Sequence, residues 1–84
     1  VLECVETSLA KRITRELKIP TIGIGASSNC DGQVLVTDDL IGLNPINVRF
    51  VKRYSNISKY INSAIIKFKN DVKKIKFPKK KNSY

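Results

Sequence analysis

The stretch VLECVETSLAKRITRELKIPTIGIGA, residues 1–26, decides the fold class of this chain. Residues 1–5 and residues 21–26 are short apolar runs rich in β-branched side chains, a composition that indicates buried strands. Between them, residues 7–18 place apolar side chains at helical spacing, which predicts an amphipathic helix. A helix that connects two neighbouring strands makes those strands parallel, so the sequence predicts an α/β fold.

The two ends of the predicted helix carry recognisable signals. Thr7 or Ser8 is the candidate N-cap, because a hydroxyl oxygen there accepts a hydrogen bond from a free backbone N–H. Pro20 lacks an N–H group and closes the segment. Two parallel strands cannot form a sheet with both faces covered, so further strands are expected outside these residues. We therefore expect the chain to be a fragment of a larger fold.

The middle of the chain predicts loops and short elements. The Asp-Gly pair at residues 31–32 is a turn signal, and the letters QVLV that follow predict a short extended segment. Residues 37–43 predict a helical turn capped by Thr37 or Asp38. Residues 48–54 predict another short helix.

The clearest predicted helix follows an Asn56 cap and has a continuous apolar stripe. Its stripe consists of Ile57, Tyr60, Ile61, Ala64, Ile65, Phe68 and Val72. Such a stripe must pack against other apolar surface. Pro78 and the lysines after it end the ordered part, so we predict that residues 1–78 belong to a single domain and that residues 79–84 form a basic, mobile tail.

Composition narrows the possible classes of protein. Sixteen Lys and Arg against seven Asp and Glu give a formal charge of +9, which can indicate nucleic-acid or membrane binding. Much of the excess lies in residues 67–81, so a solvated lysine-rich surface is the favoured interpretation. Cys4 and Cys30 are too few for a disulfide scaffold and lack zinc-ligand spacing, which predicts reduced thiols in the cytoplasm. No apolar run approaches the roughly 18 residues that span a bilayer.

Glu3 stands in the middle of the first apolar run. Strand side chains alternate, so Leu2 and Cys4 share one face, and Val1 and Glu3 share the other. If Leu2 and Cys4 face the helices, Glu3 faces the interior of the sheet or barrel. A carboxylate buried there must pair with a cation, bind a ligand or stay protonated. Glu3 is therefore a candidate catalytic residue, and a structural ion pair is the alternative.

The second strand places two glycines on one face. Gly23 and Gly25 alternate with Ile22 and Ile24, and we expect the glycines to face inward and leave space for a ligand. Close packing between a helix and the strand is the alternative.

Two other motifs give weaker evidence for a ligand-binding site. The letters GIGASS are similar to a dinucleotide-binding loop, but Ser28 stands where the third glycine belongs and no helix begins there. Asp38 and Asp39 are conceivable magnesium ligands, but adjacent carboxylates at the start of a helix more often cap it.

The segments VLECV, LAKRITREL, IPTIGIGASSNCDGQVLVTDDLIGL and FVKRY, with FP near the end, closely resemble the C-terminal third of the ketopantoate hydroxymethyltransferase family. The resemblance implies a C-terminal fragment of a (β/α)8 TIM barrel, with residues 1–5 as the seventh strand and residues 21–26 as the eighth. It also implies transfer of a hydroxymethyl group from 5,10-methylenetetrahydrofolate to 3-methyl-2-oxobutanoate, giving 2-dehydropantoate in pantothenate (vitamin B5) biosynthesis. A cytoplasmic homo-oligomer is expected.

The resemblance also implies roles for particular residues. Glu3 matches the family's proton acceptor, and Gly23, Gly25 and Ser27 would line the substrate site. Removal of a proton from carbon 3 of the keto acid needs such a base, while magnesium on the keto oxygen stabilises the enolate. The magnesium ligands are expected on earlier strands, and none in this segment.

The chain departs from the family pattern at three places. The family's GAG is Gly25-Ala26-Ser27 here, Asp39 replaces a frequent His, and residues 80–84 replace the closing EEHSF of many members. The alternative hypothesis is an inactive truncated barrel fragment whose basic tail binds nucleic acid or a partner protein.

Overall fold

A small parallel sheet forms the centre of the protein, which a computed structural model describes over residues 1–84. The strands are β1 (Leu2–Glu3), β2 (Ile22–Ile24) and β3 (Gly32–Gln33), in the order β1-β2-β3. Helix α1 (Thr7–Glu16) connects β1 to β2, which is parallel to it. The predicted strand–helix–strand unit and the α/β class are confirmed.

Three further helical elements follow the sheet. These are α2 (Thr37–Leu40), α3 (Ile57–Lys73) and a 3-10 helix (Lys80–Asn82) in the segment predicted to be a mobile tail. The helix predicted over residues 48–54 is wrong, because this segment contains only a turn around Arg49 and Phe50. None of the helices has both the length and the apolar character that crossing a membrane requires.

The N-terminus of α1 is capped by Glu6, so the predicted caps Thr7 and Ser8 are wrong. The Glu6 carboxylate accepts hydrogen bonds from the backbone N–H of Ser8 and of Leu9, each at 3.0 Å, and from the Ser8 hydroxyl. The Ser8 hydroxyl first, and then the two N–H groups, hold the pKa of Glu6 below its ordinary value. The glutamate side chain, which is longer than the usual caps Ser, Thr, Asp and Asn, thus reaches the same free N–H groups.

The other helix starts differ from α1. Helix α2 follows an extended Val36 that provides no side-chain cap, so the predicted caps Thr37 and Asp38 are also wrong. Asn56 is the N-cap of α3 as predicted, but its Oδ1 atom accepts from the Ser58 hydroxyl at 2.9 Å instead of from a backbone N–H.

The Glu6 cap predicts a pH-dependent stability. A carboxyl whose pKa is lower in the folded state stabilises fully above its unfolded pKa of about 4.3, and this stability is lost as the pH falls through the folded value. In the complete protein, Glu6→Gln is expected to unfold at a lower temperature than wild type at neutral pH. The two midpoints should converge in acid, which thermal unfolding at a series of pH values measures. If the difference in unfolding temperature between the two proteins were the same at every pH, Glu6 would not act as a charged cap.

The Asp-Gly pair at 31–32, predicted as a turn, ends a turn of residues 28–31 and begins a strand. Gly32 begins β3, which is parallel to β2, with Ile22 opposite Gly32 and Gly23 opposite Gln33. Backbone bonds from Gly32 N to Thr21 O and from Val34 N to Gly23 O, both 3.0 Å, hold the pair. The edge of β2 away from β1 is therefore occupied over two residues.

Asp31 ties the start of β2 to the start of β3. Its Oδ2 atom accepts hydrogen bonds from the Thr21 backbone N at 2.8 Å and from the Thr21 hydroxyl at 3.2 Å. Thr21 is 3% exposed, so these groups have little access to water. The carboxylate therefore replaces the solvent that would otherwise satisfy the Thr21 N–H.

Asp31→Ala is expected to lower the free energy of unfolding of the complete protein by about 1–3 kcal/mol, because the Thr21 N–H would stay buried without an acceptor. Denaturant unfolding measures the change. Asp31→Asn is the matched control, since it keeps an Oδ atom and should cost clearly less. Wild-type stability in the Ala variant would rule out this role.

Little of the chain is buried within the 84 residues. Six residues are buried, with Ala10 of α1 fully so. The Cα radius of gyration is 21.5 Å, whereas a globular domain of this length has about 12 Å. Every residue of α3 from Tyr60 to Lys73 is exposed, including Ile65 at 58% and Phe68 at 56%. Within these residues the apolar stripe predicted to pack stays largely exposed, and its Phe68 ring contacts the Phe77 ring at a centroid distance of 5.5 Å.

Candidate functional site

The strand register assigns Glu3 to one face of the sheet. Leu2 pairs with Gly23, and Glu3 pairs with Ile24. Paired residues of parallel strands project to the same face, so Glu3 and Ile24 share one face, while Leu2 and Gly23 share the other. Glu3 and Gly23 therefore lie on opposite faces of the sheet.

Helix α1 covers the Gly23 face. The hydroxyl oxygens of Thr14 in α1 and Thr21 before β2 are 2.8 Å apart, and Thr14 Oγ1 lies 3.9 Å from Cys30 Sγ. A Cβ atom at Gly23 would lie 3.0 Å from Cys30 Sγ and 3.1 Å from Gln33 Oε1. The prediction that Gly23 faces inward with Glu3 is wrong, because the strand register puts Gly23 on the opposite face, where the side chains of Cys30 and Gln33 pack against it.

Glu3 lies on the face of the sheet away from α1. Its side chain is exposed, and it takes part in no hydrogen bond or ion pair among the 84 residues. Ile22, two residues before its partner Ile24, is 42% exposed on the same face. The surroundings that these residues provide for Glu3 are apolar. Its role as proton acceptor stays a prediction.

Gly25 supports an aromatic side chain from a distant loop. Its φ of +61° is in the left-handed region, and a Cβ atom there would lie 2.8 Å from both Cβ and Cγ of Phe50. Both observations require glycine at this position. The space in front of Gly25 is therefore occupied by Phe50.

An open cavity of about 870 Å³ lies at the C-terminal ends of β1 and β2. The turn of residues 4–7 lines it on one side, and Gly25, Ser28 and the pair Arg49-Phe50 line it on the other. Cys4, which follows Glu3 directly, has a φ of 51°, and its N–H bonds to Ile24 O at 2.9 Å. Such left-handed strain at a non-glycine residue is concentrated at functional sites.

The hydroxyl of Ser27 is engaged within its own loop. Ser27 is 3% exposed, and its Oγ accepts from Asn29 N at 3.1 Å and donates to Asn29 Oδ1 at 3.3 Å. Gln33 Nε2 donates to Ser27 O at 2.7 Å. The neighbouring Ser28 lines the cavity instead. The substrate contacts of Gly23, Gly25 and Ser27 stay predictions.

The acidic and thiol side chains do not converge on a cation site. No three His, Cys, Asp or Glu side chains are grouped at metal-binding distance. Asp39 Oδ1 accepts a hydrogen bond from Asn44 Nδ2 at 2.8 Å, and both Asp38 and Asp39 lie in the first turn of α2. Both cysteines are free, Cys4 exposed and Cys30 buried.

A cavity at the carboxyl ends of parallel strands is the usual location of active sites in α/β enzymes. The model of the ketopantoate hydroxymethyltransferase family matches residues 1–80, and the chain belongs to this family.

Similar proteins carry one name, 3-methyl-2-oxobutanoate hydroxymethyltransferase. The protein of Pelagibacter ubique (strain HTCC1062) is 74% identical over 84 residues, which are 100% of this chain and 33% of that protein. Those of Thermosipho africanus (strain TCF52B) and Carboxydothermus hydrogenoformans (strain ATCC BAA-161 / DSM 6008 / Z-2901) are 53% and 49% identical over 85 residues, covering 100% of this chain and 32% and 31% of those proteins. The chain thus spans about a third of the length of these relatives.

Proposed function

We propose that the complete protein containing these residues transfers a hydroxymethyl group from 5,10-methylenetetrahydrofolate to 3-methyl-2-oxobutanoate, giving 2-dehydropantoate for pantothenate synthesis. The observation that carries this proposal is the family match over residues 1–80, strengthened by 74% identity to a relative of that name. The nucleic-acid hypothesis for the basic tail is not favoured by this match.

Glu3 is the proposed proton acceptor. It lies at the end of β1, on the apolar face with Ile24 and away from α1. In a closed barrel this face would surround the substrate, and the carboxylate would take the proton from carbon 3 of the keto acid. The magnesium ion implied by the family would polarise the keto oxygen. Its ligands would come from residues outside this chain, because the acidic residues here do not group around one point.

The remaining part of a (β/α)8 barrel is the proposed partner of the exposed apolar surfaces. The open face of β2 and most of the stripe of α3 are exposed within these residues, apart from the contact between the Phe68 and Phe77 rings. Because the sheet has the order β1-β2-β3, the remaining strands of the barrel would join it at the free edges of β1 and β3. The missing strands would then cover Glu3. We further propose a cytoplasmic homo-oligomer.

Turnover by the complete polypeptide tests the proposed function. Incubation with both substrates and magnesium should yield 2-dehydropantoate and tetrahydrofolate in equal amounts. In D2O without the folate, proton NMR should detect enzyme-dependent exchange of deuterium at carbon 3 of the keto acid. A folded protein that shows neither product nor exchange would refute the proposal.

A further inference from the structure

One guanidinium in the cavity has no partner among the 84 residues. Arg49 lines the cavity and is exposed, and the one ion pair of the chain joins Arg12 to Glu16. The carboxylate of Glu6 lines the same cavity, but its oxygens accept hydrogen bonds at the start of α1. Arg49 is therefore free to bind an anionic group of a ligand.

An aromatic ring is fixed beside this cation. Phe50 contacts Gly25, as the absence of a Cβ atom there allows, and remains 37% exposed. Arg49 and Phe50 together form a turn that is anchored on the loop after β2. The cavity is thus lined by an aromatic side chain and a fork of N–H donors, which suit a ligand with an aromatic group and a carboxylate.

The lining of the cavity favours one of the two proposed substrates. Cys4 lines it, whereas Glu3, the proposed base, does not. Of the two proposed substrates, the keto acid has no ring, whereas the folate has an aminobenzoyl ring joined to glutamate. The cavity volume of about 870 Å³ is sufficient for a ligand of that size.

We propose that Arg49 binds a glutamate carboxylate of the folate co-substrate and that Phe50 packs against its aminobenzoyl ring. This assignment rests on the proposed function, since that function supplies the folate. Arg49 would then determine specificity for the glutamate tail. Its charge-assisted, bidentate hydrogen bonds to the carboxylate are lost when either Arg49 or the glutamate is removed.

The test uses the complete protein and two ligands, tetrahydrofolate and tetrahydropteroate, of which the second lacks the glutamate. Calorimetry should give wild type an affinity for tetrahydrofolate about ten- to a hundredfold higher than for tetrahydropteroate, as expected for hydrogen bonds to a charged group. Arg49→Gln should abolish this preference by weakening tetrahydrofolate binding alone. Arg49→Lys, which keeps the charge without the fork, should be intermediate.

Arg15→Gln is the matched control, because Arg15 is an exposed cation of α1 outside the cavity. It should keep the full preference for tetrahydrofolate. A wild-type protein that binds both ligands equally, or an Arg49→Gln variant that keeps the preference, would overturn the proposal. Binding is measured without turnover, so absence of the reaction would refute the proposed function separately.

Discussion

Glu3→Gln is expected to lower kcat of the complete protein by about 10²–10⁴-fold, the usual contribution of a general base. Glutamine keeps the size of glutamate but does not accept the proton from carbon 3. Since Glu3 makes no hydrogen bond or ion pair within these 84 residues, the substitution removes no contact that holds β1 in this part of the protein. Steady-state turnover at saturating substrate measures the effect.

Deuterium exchange at carbon 3 of the keto acid isolates the step assigned to Glu3. Glu3→Gln should slow this exchange as much as it slows turnover. Glu16→Gln is the matched control, because Glu16 is exposed on α1 with Arg12 at 3.9 Å and does not line the cavity. Turnover by Glu3→Gln that equals wild type would remove the catalytic assignment.

The sequence predicted the elements whose signals are local. Apolar runs and helical spacing gave β1, α1, β2 and α3, since burial of side chains repeats with the period of each element. The caps were missed because the long Glu6 side chain replaces the hydroxyl that usual statistics favour. Strand β3 was predicted only as an extended segment at residues 33–36, and its pairing with β2 was missed because a parallel pair usually needs a longer connection than residues 25–31.

The candidate site was predicted only in part, because some of its residues meet through contacts that are distant in the sequence. Glu3 was proposed because a charge within an apolar run is a local anomaly, and its role stays a prediction. Arg49 was missed because Phe50 reaches Gly25 across 25 positions of the sequence, and periodicity does not report contacts of that range. Gly25 was the available signal, but a glycine indicates close approach without identifying the residue that approaches.

Gly25→Ala is the second substitution with a large expected effect. Alanine must adopt the left-handed φ of +61° and must displace Phe50, whose Cβ and Cγ lie 2.8 Å from the new methyl group. Strain and overpacking together are expected to lower the free energy of unfolding of the complete protein by about 2–5 kcal/mol, measured by denaturant titration.

Gly32→Ala separates this effect from the general cost of replacing a glycine. The methyl group at Gly32 would meet only Ile22 Cγ1, at 3.8 Å, and the backbone there lies outside the left-handed region. The free energy of unfolding of Gly32→Ala should therefore stay within about 1 kcal/mol of wild type.

Because displacement of Phe50 also moves Arg49, Gly25→Ala should weaken tetrahydrofolate binding, whereas Gly32→Ala should not. Equal stabilities of the two variants would show that Phe50 does not pack on Gly25 in the complete protein.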